Sequence, residues 1–202
     1  MFKKMAQVMV ACLFFCSLTA VFAGGVDSGN GYWLKNDLQF GFYDQSFLSP
    51  NIPVPPRPLF WKAKHKVDSA YFFLYQRLLY HTQKYFSVYV GADVAPLRYK
   101  GTTNMAFAAF LAIHLYLFRV HGFSPYINYS IAGPTILQKS RWGGSHFSNS
   151  FVFQDMIGAG ISLMPNVPLA FGFNVIHYSN GDIFPKNSGL QIPFEMWLSY
   201  SF

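Results

Sequence analysis

Three observations predict an all-β chain closed as an eight-stranded antiparallel transmembrane barrel of the bacterial outer membrane. The first is composition: 20% of the residues are aromatic and 11% are charged, with 23 Phe and 13 Tyr. That balance suits a surface that meets lipid and carries an interfacial aromatic girdle, not a soluble domain. The second is a period-2 alternation of apolar and polar residues that recurs along the chain. The third is the spacing of connections, short and long in turn, as in barrels that keep tight turns in the periplasm and longer loops outside.

The chain begins MFKKMAQVMVACLFFCSLTAVFA, with Lys3 and Lys4, an apolar middle, and Val21 and Ala23 at the two positions a signal peptidase inspects. Residues 1–23 are expected to be a secretory signal peptide and 24–202 a single barrel domain. A membrane anchor is the rival reading, but Gln7, Ser17 and Thr19 interrupt the apolar stretch and a good cleavage site ends it. Phe15 is too bulky for lipoprotein processing at Cys16. Cys12 and Cys16 both fall in the segment expected to be removed, so the mature chain stands without a disulfide.

Eight candidate strands follow, near 33–43, 69–80, 84–96, 104–118, 123–133, 150–163, 168–179 and 191–202. In FSVYVGADV, Phe86, Val88, Val90, Ala92 and Val94 alternate with Ser87, Tyr89, Gly91 and Asp93. MAFAAFLAIHLYLF, Met105 to Phe118, is too short to span as a helix, which takes about 20 apolar residues. With period 2 it places Met105, Phe107, Ala109, Leu111, Ile113, Leu115 and Leu117 on one face, opposite Ala106, Ala108, His114 and Tyr116. FSPYINYSI alternates in the same way. In FEMWLSYSF, Phe194, Met196, Leu198, Tyr200 and Phe202 share a side, and the terminal Phe202 resembles the C-terminal signal of outer-membrane barrels. A periplasmic sandwich would not need so many long strands with oil on the same side.

HTQK (His81 to Lys84), RVHG (Arg119 to Gly122) and PNV (Pro165 to Val167) are the short connections; 44–68, 97–103, 134–149 and 180–190 are the longer ones. Both termini then fall on the periplasmic side. No helical bundle, nucleotide loop, zinc pattern or heptad appears. Despite a formal net charge of +7, a chain bound for the outer membrane is not expected to meet nucleic acid.

The seventh strand, LAFGFNVIHYS, carries Leu169, Phe171, Phe173 and Val175 on its apolar face, and that parity continues into His177 and Ser179. Both therefore project toward lipid near the outer end of the strand. Residues two apart stand about 6.8 Å apart and point the same way. An imidazole can bridge that gap and act as general base on a seryl oxygen. The plain alternative is a histidine that bonds water or headgroups at a membrane interface.

The wider string HYSNGDIFPKNSGLQ, with the preceding FVFQDMIGAGISL and the terminal aromatic strand, resembles the lipid A 3-O-deacylase family of outer-membrane esterases over about the last quarter of the chain. The resemblance implies a carboxylic ester hydrolase, of the acyloxyacyl hydrolase type, that removes the acyl chain ester-linked at position 3 of the lipid A glucosamine with no metal or other cofactor. It implies Ser179 as nucleophile and His177 as base, Asn180 as an asparagine needed for activity, and Asn187 as a residue that helps stabilise the oxyanion. The substrate would be lipopolysaccharide and the surroundings outer-membrane lipid; pairing of two copies into a homodimer is left open.

The departure is at the acid, where the family's glutamate is Gln191 here. An amide oxygen accepts the imidazole N–H but offers no charge to the imidazolium, and a flipped amide favours the wrong tautomer. Asp155 is a candidate substitute. If PNV is a three-residue hairpin loop, Leu163 meets Leu169, Ile161 meets Phe171, Ala159 meets Phe173, Ile157 meets Val175, and Asp155 meets His177. Directly opposed residues approach to about 5 Å, and a carboxylate on a lipid face is usually functional. A register shifted by one residue would instead make Asp155 an interior aspartate. Asp182, in the loop, and Glu195, of inward parity, fit less well. Pro193 leaves the face of Gln191 undecided.

One feature keeps a second class of function open. Gln191 is compatible with a non-catalytic barrel that binds lipopolysaccharide through the same lipid-facing notch, whereas an acyltransferase would need an acceptor site that nothing indicates. The cluster Lys62, Lys64, His65 and Lys66 in the first outer loop reads either as a solvated loop or as a contact for lipopolysaccharide phosphates.

Overall fold

The computed structural model describes residues 34–46, 63, 65–82, 84–120 and 122–202. The expected signal peptide, the PVPPRP stretch, Lys62 and Lys64 lie outside the described residues. Eight long strands form: β1 Asn36–Asp44, β2 Ser69–His81, β3 Phe86–Tyr99, β4 Thr102–Tyr116, β5 Ser124–Leu137, β6 Phe151–Ser162, β7 Leu169–Ser179 and β8 Leu190–Ser201. Each pairs antiparallel with its neighbour in sequence, and β8 returns to β1 with Asp37 opposite Ser201 and Phe42 opposite Met196. Closure leaves no long open edge. Reciprocal backbone bonds between Asn36 and Phe202, 3.0 and 2.8 Å, seal the seam at the chain's end.

The expected alternation is realised side chain by side chain. Phe107, Leu111 and Leu115 are exposed on the outer wall of β4, while Ala106, Phe110 and Ala112 are buried inside. No helix among the described residues is long and apolar enough to cross a membrane; the strands provide the crossing, with a bare apolar outer wall that needs lipid against it. Tyr80, Tyr85, Phe118, Phe123, Tyr200 and Phe202 are exposed near the short-turn end, the place of a periplasmic girdle. There Arg119 lies 3.6 Å from the Tyr116 ring centre.

Side chains fill the interior. His114 stacks on Tyr126, ring centres 4.6 Å apart, with Tyr89 on its other side at 4.5 Å. Higher up, Asn128 Nδ2 donates to Asn174 Oδ1 (2.8 Å) and Asn174 Nδ2 to Glu195 Oε2 (2.7 Å), which ties β5, β7 and β8 across the lumen. Such a chain spares each amide the cost of an unmet donor. Glu195 has the inward parity the sequence assigns to it and is remote in direction from the His177 face.

Two extents differ from expectation. The connection at 97–103 is not a longer loop: β3 and β4 run on to a two-residue turn, Lys100–Gly101, both left-handed at φ 47 and 73, the twist a tight hairpin requires. Leu97 and Tyr99 keep the strand because both still fill the interior. β5 continues past residue 133 to Leu137 through a bulge between Ser130 and Gly133. Short pairs also form within the outer loops, Arg141–Trp142 with Ser145–His146, and His65–Lys66 alongside β8.

β6 and β7 lie close because of small residues. A Cβ added at Gly172 would overlap the Ala159 carbonyl oxygen and the Trp197 ring. Gly172→Ala is expected to destabilise the barrel by about 1–3 kcal/mol through overpacking, read as an earlier denaturant midpoint in detergent micelles. An unchanged midpoint would show that the wall gives way freely at this point.

Candidate active site

The β6–β7 hairpin sets the site. Leu163 N–H bonds the Leu169 carbonyl oxygen at 2.9 Å, and the ladder runs Ile161 to Phe171, Ala159 to Phe173, Ile157 to Val175 and Asp155 to His177. The alternative register, with Asp155 in the lumen, is therefore not the one adopted. On the other flank β8 carries one extra residue: Asn174 faces Glu195 but Ile176 faces Ile192. This bulge, at Pro193 and Phe194, restores the parity that proline leaves undecided. Gln191 stands directly opposite His177 on the same outward face.

His177 thus sits between Asp155 and Gln191 on adjoining strands, with Ser179 one step above it. Its Nδ1 is 3.7 Å from Asp155 Oδ2, too long for a hydrogen bond yet within ion-pair range, and resting catalytic contacts often tighten only with substrate. The aspartate is itself oriented. Ala132, in the β5 bulge with φ 49, donates its N–H to Asp155 Oδ1 at 2.7 Å, so the other oxygen is the one turned to the imidazole.

The lipid-facing parity of His177 and Ser179 holds, but they are not bare to the bilayer. Phe171 is 45% exposed on the same face, whereas His177 is 3% and Ser179 9%. Protein shelters the top of the face. Phe153 pairs with Ser179, and Gly181 of the loop lies against the Phe153 ring.

That loop is built by the two asparagines. Asn180 is fully buried; its Nδ2 donates to the carbonyls of Phe184 and Lys186 (3.2 and 2.9 Å), and its Oδ1 accepts the Asp182 N–H at 3.0 Å. Asn187 Oδ1 accepts the Asn180 N–H at 3.3 Å while its Nδ2 donates to Asp182 Oδ1 at 2.8 Å. The fold brings both beside Ser179, engaged in shaping the loop. The N–H that meets Ser179 Oγ is that of Gly181, at 3.4 Å. The loop is zipped in turn to the β5–β6 loop: Phe147 bridges Asn187, Ser188 Oγ both accepts from His146 N–H and donates to its carbonyl, and Ser148 and Lys186 exchange two bonds. Desolvation, then the charges of Arg141 and Lys186, lower the His146 pKa, which marks this outer rim as basic.

A family model described as lipid A 3-O-deacylase (PagL) matches residues 59–192, well over half of the chain. The chain belongs to the lipid A 3-O-deacylase family. The match takes in His177, Ser179, Asn180, Asn187 and Gln191 as well as Asp155. The fold agrees: the crystal structure of the outer membrane enzyme PagL superposes with a TM-score of 0.59, covering 82% of this chain and 99% of that one at 15% sequence identity. No curated sequence matches the chain. This member of the lipid A 3-O-deacylase family is an outer-membrane barrel.

Sequence reasoning missed the Ala132 N–H and the neighbour of Gln191 on its far side. The first has a faint signal in Gly133–Pro134, a pair that disfavours an unbroken central strand. The second has none, since the pairing of His65–Lys66 with β8 joins segments far apart in sequence. Among the described residues no group of His, Cys, Asp or Glu side chains has an arrangement for a metal.

Proposed function

We propose that this chain hydrolyses the ester that links an acyl chain to position 3 of a lipid A glucosamine. Ser179 Oγ attacks the acyl carbonyl as His177 takes its proton, the Gly181 N–H meets the oxyanion, and the imidazolium returns the proton to the departing sugar hydroxyl. Water, activated by the same imidazole, then releases the fatty acid and restores the serine. Asp155 holds and charges His177 in the role of the family glutamate, and the Gln191 amide supports the ring from the other side. Asn180 and Asn187 act by shaping the loop that presents the Gly181 N–H.

The observation that carries this reading is the Asp155–His177–Gln191 row with Ser179 above it, at the outer end of a lipid-facing strand. A substrate whose acyl chains never leave the bilayer reaches such a site sideways, along the outer wall. Gln191 favours one other reading, a barrel that binds lipopolysaccharide without cleaving it. Mass spectrometry of lipid A from cells expressing the chain separates the two. The expected result is a lipid A species lighter by the 3-linked acyl chain; lipid A identical to that of cells with an empty vector would leave the binding reading in its place.

A further inference from the structure

Above Met196, β8 parts from β1, and the end of the first outer loop takes the vacated place. His65 pairs in parallel with Leu190 and Lys66 with Gln191, through His65 N–H to the Gly189 carbonyl (3.3 Å) and Val67 N–H to the Gln191 carbonyl (3.2 Å). Both neighbours of Lys66 are anchored: the His65 Nδ1 lies 2.8 Å from the Tyr99 hydroxyl, and Val67 is wholly buried. Lys66 is exposed. Paired residues share a face, so Lys66 extends the outward row to four members on four adjoining stretches: Asp155, His177, Gln191, Lys66.

Strands lie about 4.8 Å apart, which puts the Lys66 backbone roughly 10 Å from that of His177. An extended lysine side chain covers most of that gap. Among the described residues no carboxylate lies within ion-pair distance of Lys66. A cation pinned beside the reacting groups, at the level of the headgroups and without an acid of its own, is arranged to meet an anion brought by the substrate.

From this row, and resting on the esterase reading above, we infer that Lys66 binds a phosphate monoester carried by the same sugar as the scissile ester. The phosphate stands one sugar ring's width from the ester oxygen, the separation that Gln191 supplies between Lys66 and His177. The ammonium thereby fixes which face of the glucosamine meets Ser179, and it selects phosphorylated over dephosphorylated lipid A. Lys66 touches substrate away from the reacting atoms, so its contribution is to binding.

The test compares lipid A with and without the phosphate on that sugar, in detergent micelles, for the parent and for Lys66→Met and Lys66→Arg. Loss of one charge-assisted contact is expected to raise KM for the phosphorylated lipid about tenfold, with kcat little changed, to erase the preference over the dephosphorylated lipid, and to be largely rescued by arginine. Equal KM for the two lipids in the parent, or the same loss for both in Lys66→Met, overturns the inference. A binding arm with Ser179→Ala protein makes the result independent of turnover: the phosphorylated lipid is expected to bind more tightly, and only while Lys66 is present. If the parent releases no fatty acid but this preference persists, the esterase reading fails and the phosphate site stands. Phosphatidylglycerol micelles or inorganic phosphate that displace the lipid equally well through Lys66 would make it a general anion site and refute the selective one.

Discussion

Ser179→Ala protein is expected to release no 3-linked fatty acid from lipid A, a fall of at least about 10⁴-fold, the scale on which removal of a serine nucleophile acts in hydrolases. The barrel should be unaffected. Ser179 is a small residue at the end of β7, and its hydroxyl accepts the Gly181 N–H. The denaturant midpoint and the binding of lipid A in micelles should therefore remain those of the parent. Fatty-acid release within tenfold of the parent would remove Ser179 from the reaction and direct attention to a water activated by His177 alone. Loss of release together with loss of the folded barrel would show a structural role instead.

The second large effect is expected at Asp155. Asp155→Asn keeps shape but removes the charge proposed to steady the imidazolium, and in a serine protease the corresponding change costs about 10⁴-fold. Asp155 is partly exposed, 18%, and 3.7 Å from His177, so a fall in kcat of about 10³-fold is the expected size here, with KM nearly constant. The amide can still accept the Ala132 N–H, so the β5 bulge has no reason to rearrange. A conservative second change tests direction: Gln191→Glu, on the opposite flank of His177, is expected to restore most of the lost rate. Undiminished kcat in Asp155→Asn would show that Gln191 suffices. A fall that Gln191→Glu does not repair would show that the side of the imidazole matters, not the charge alone.

How much of this was legible beforehand follows from the reach of each physical rule. A two-residue side-chain period and a three-residue turn fix the β6–β7 register from local information alone, so Asp155 opposite His177 could be read from the letters. The same period assigned Glu195 to the interior. It failed wherever one strand takes in an extra residue. At Pro193–Phe194 the bulge decides the face of Gln191, and at Ser130–Gly133 it frees the Ala132 N–H. Both are settled by packing between strands, which a single strand's pattern does not contain. The shelter beside Ser179 was also invisible, because Gly181 belongs to a loop held to its neighbour by Ser148, Ser188 and Asn187, and loops have no period to read. Lys66 was legible only as one of a basic cluster; its place beside Gln191 depends on where β1 and β8 separate.

The cross-strand row has a consequence for the life of the chain before it works. Asp155, His177, Gln191 and Lys66 come from separate stretches, and they meet only when β6, β7, β8 and the end of the first loop have joined in one register. A slip of one residue at any of those seams turns a member of the row to the other side of the wall. On the mechanism proposed above, a chain in transit therefore carries no assembled site, and the onset of fatty-acid release is a clock for the completion of the barrel.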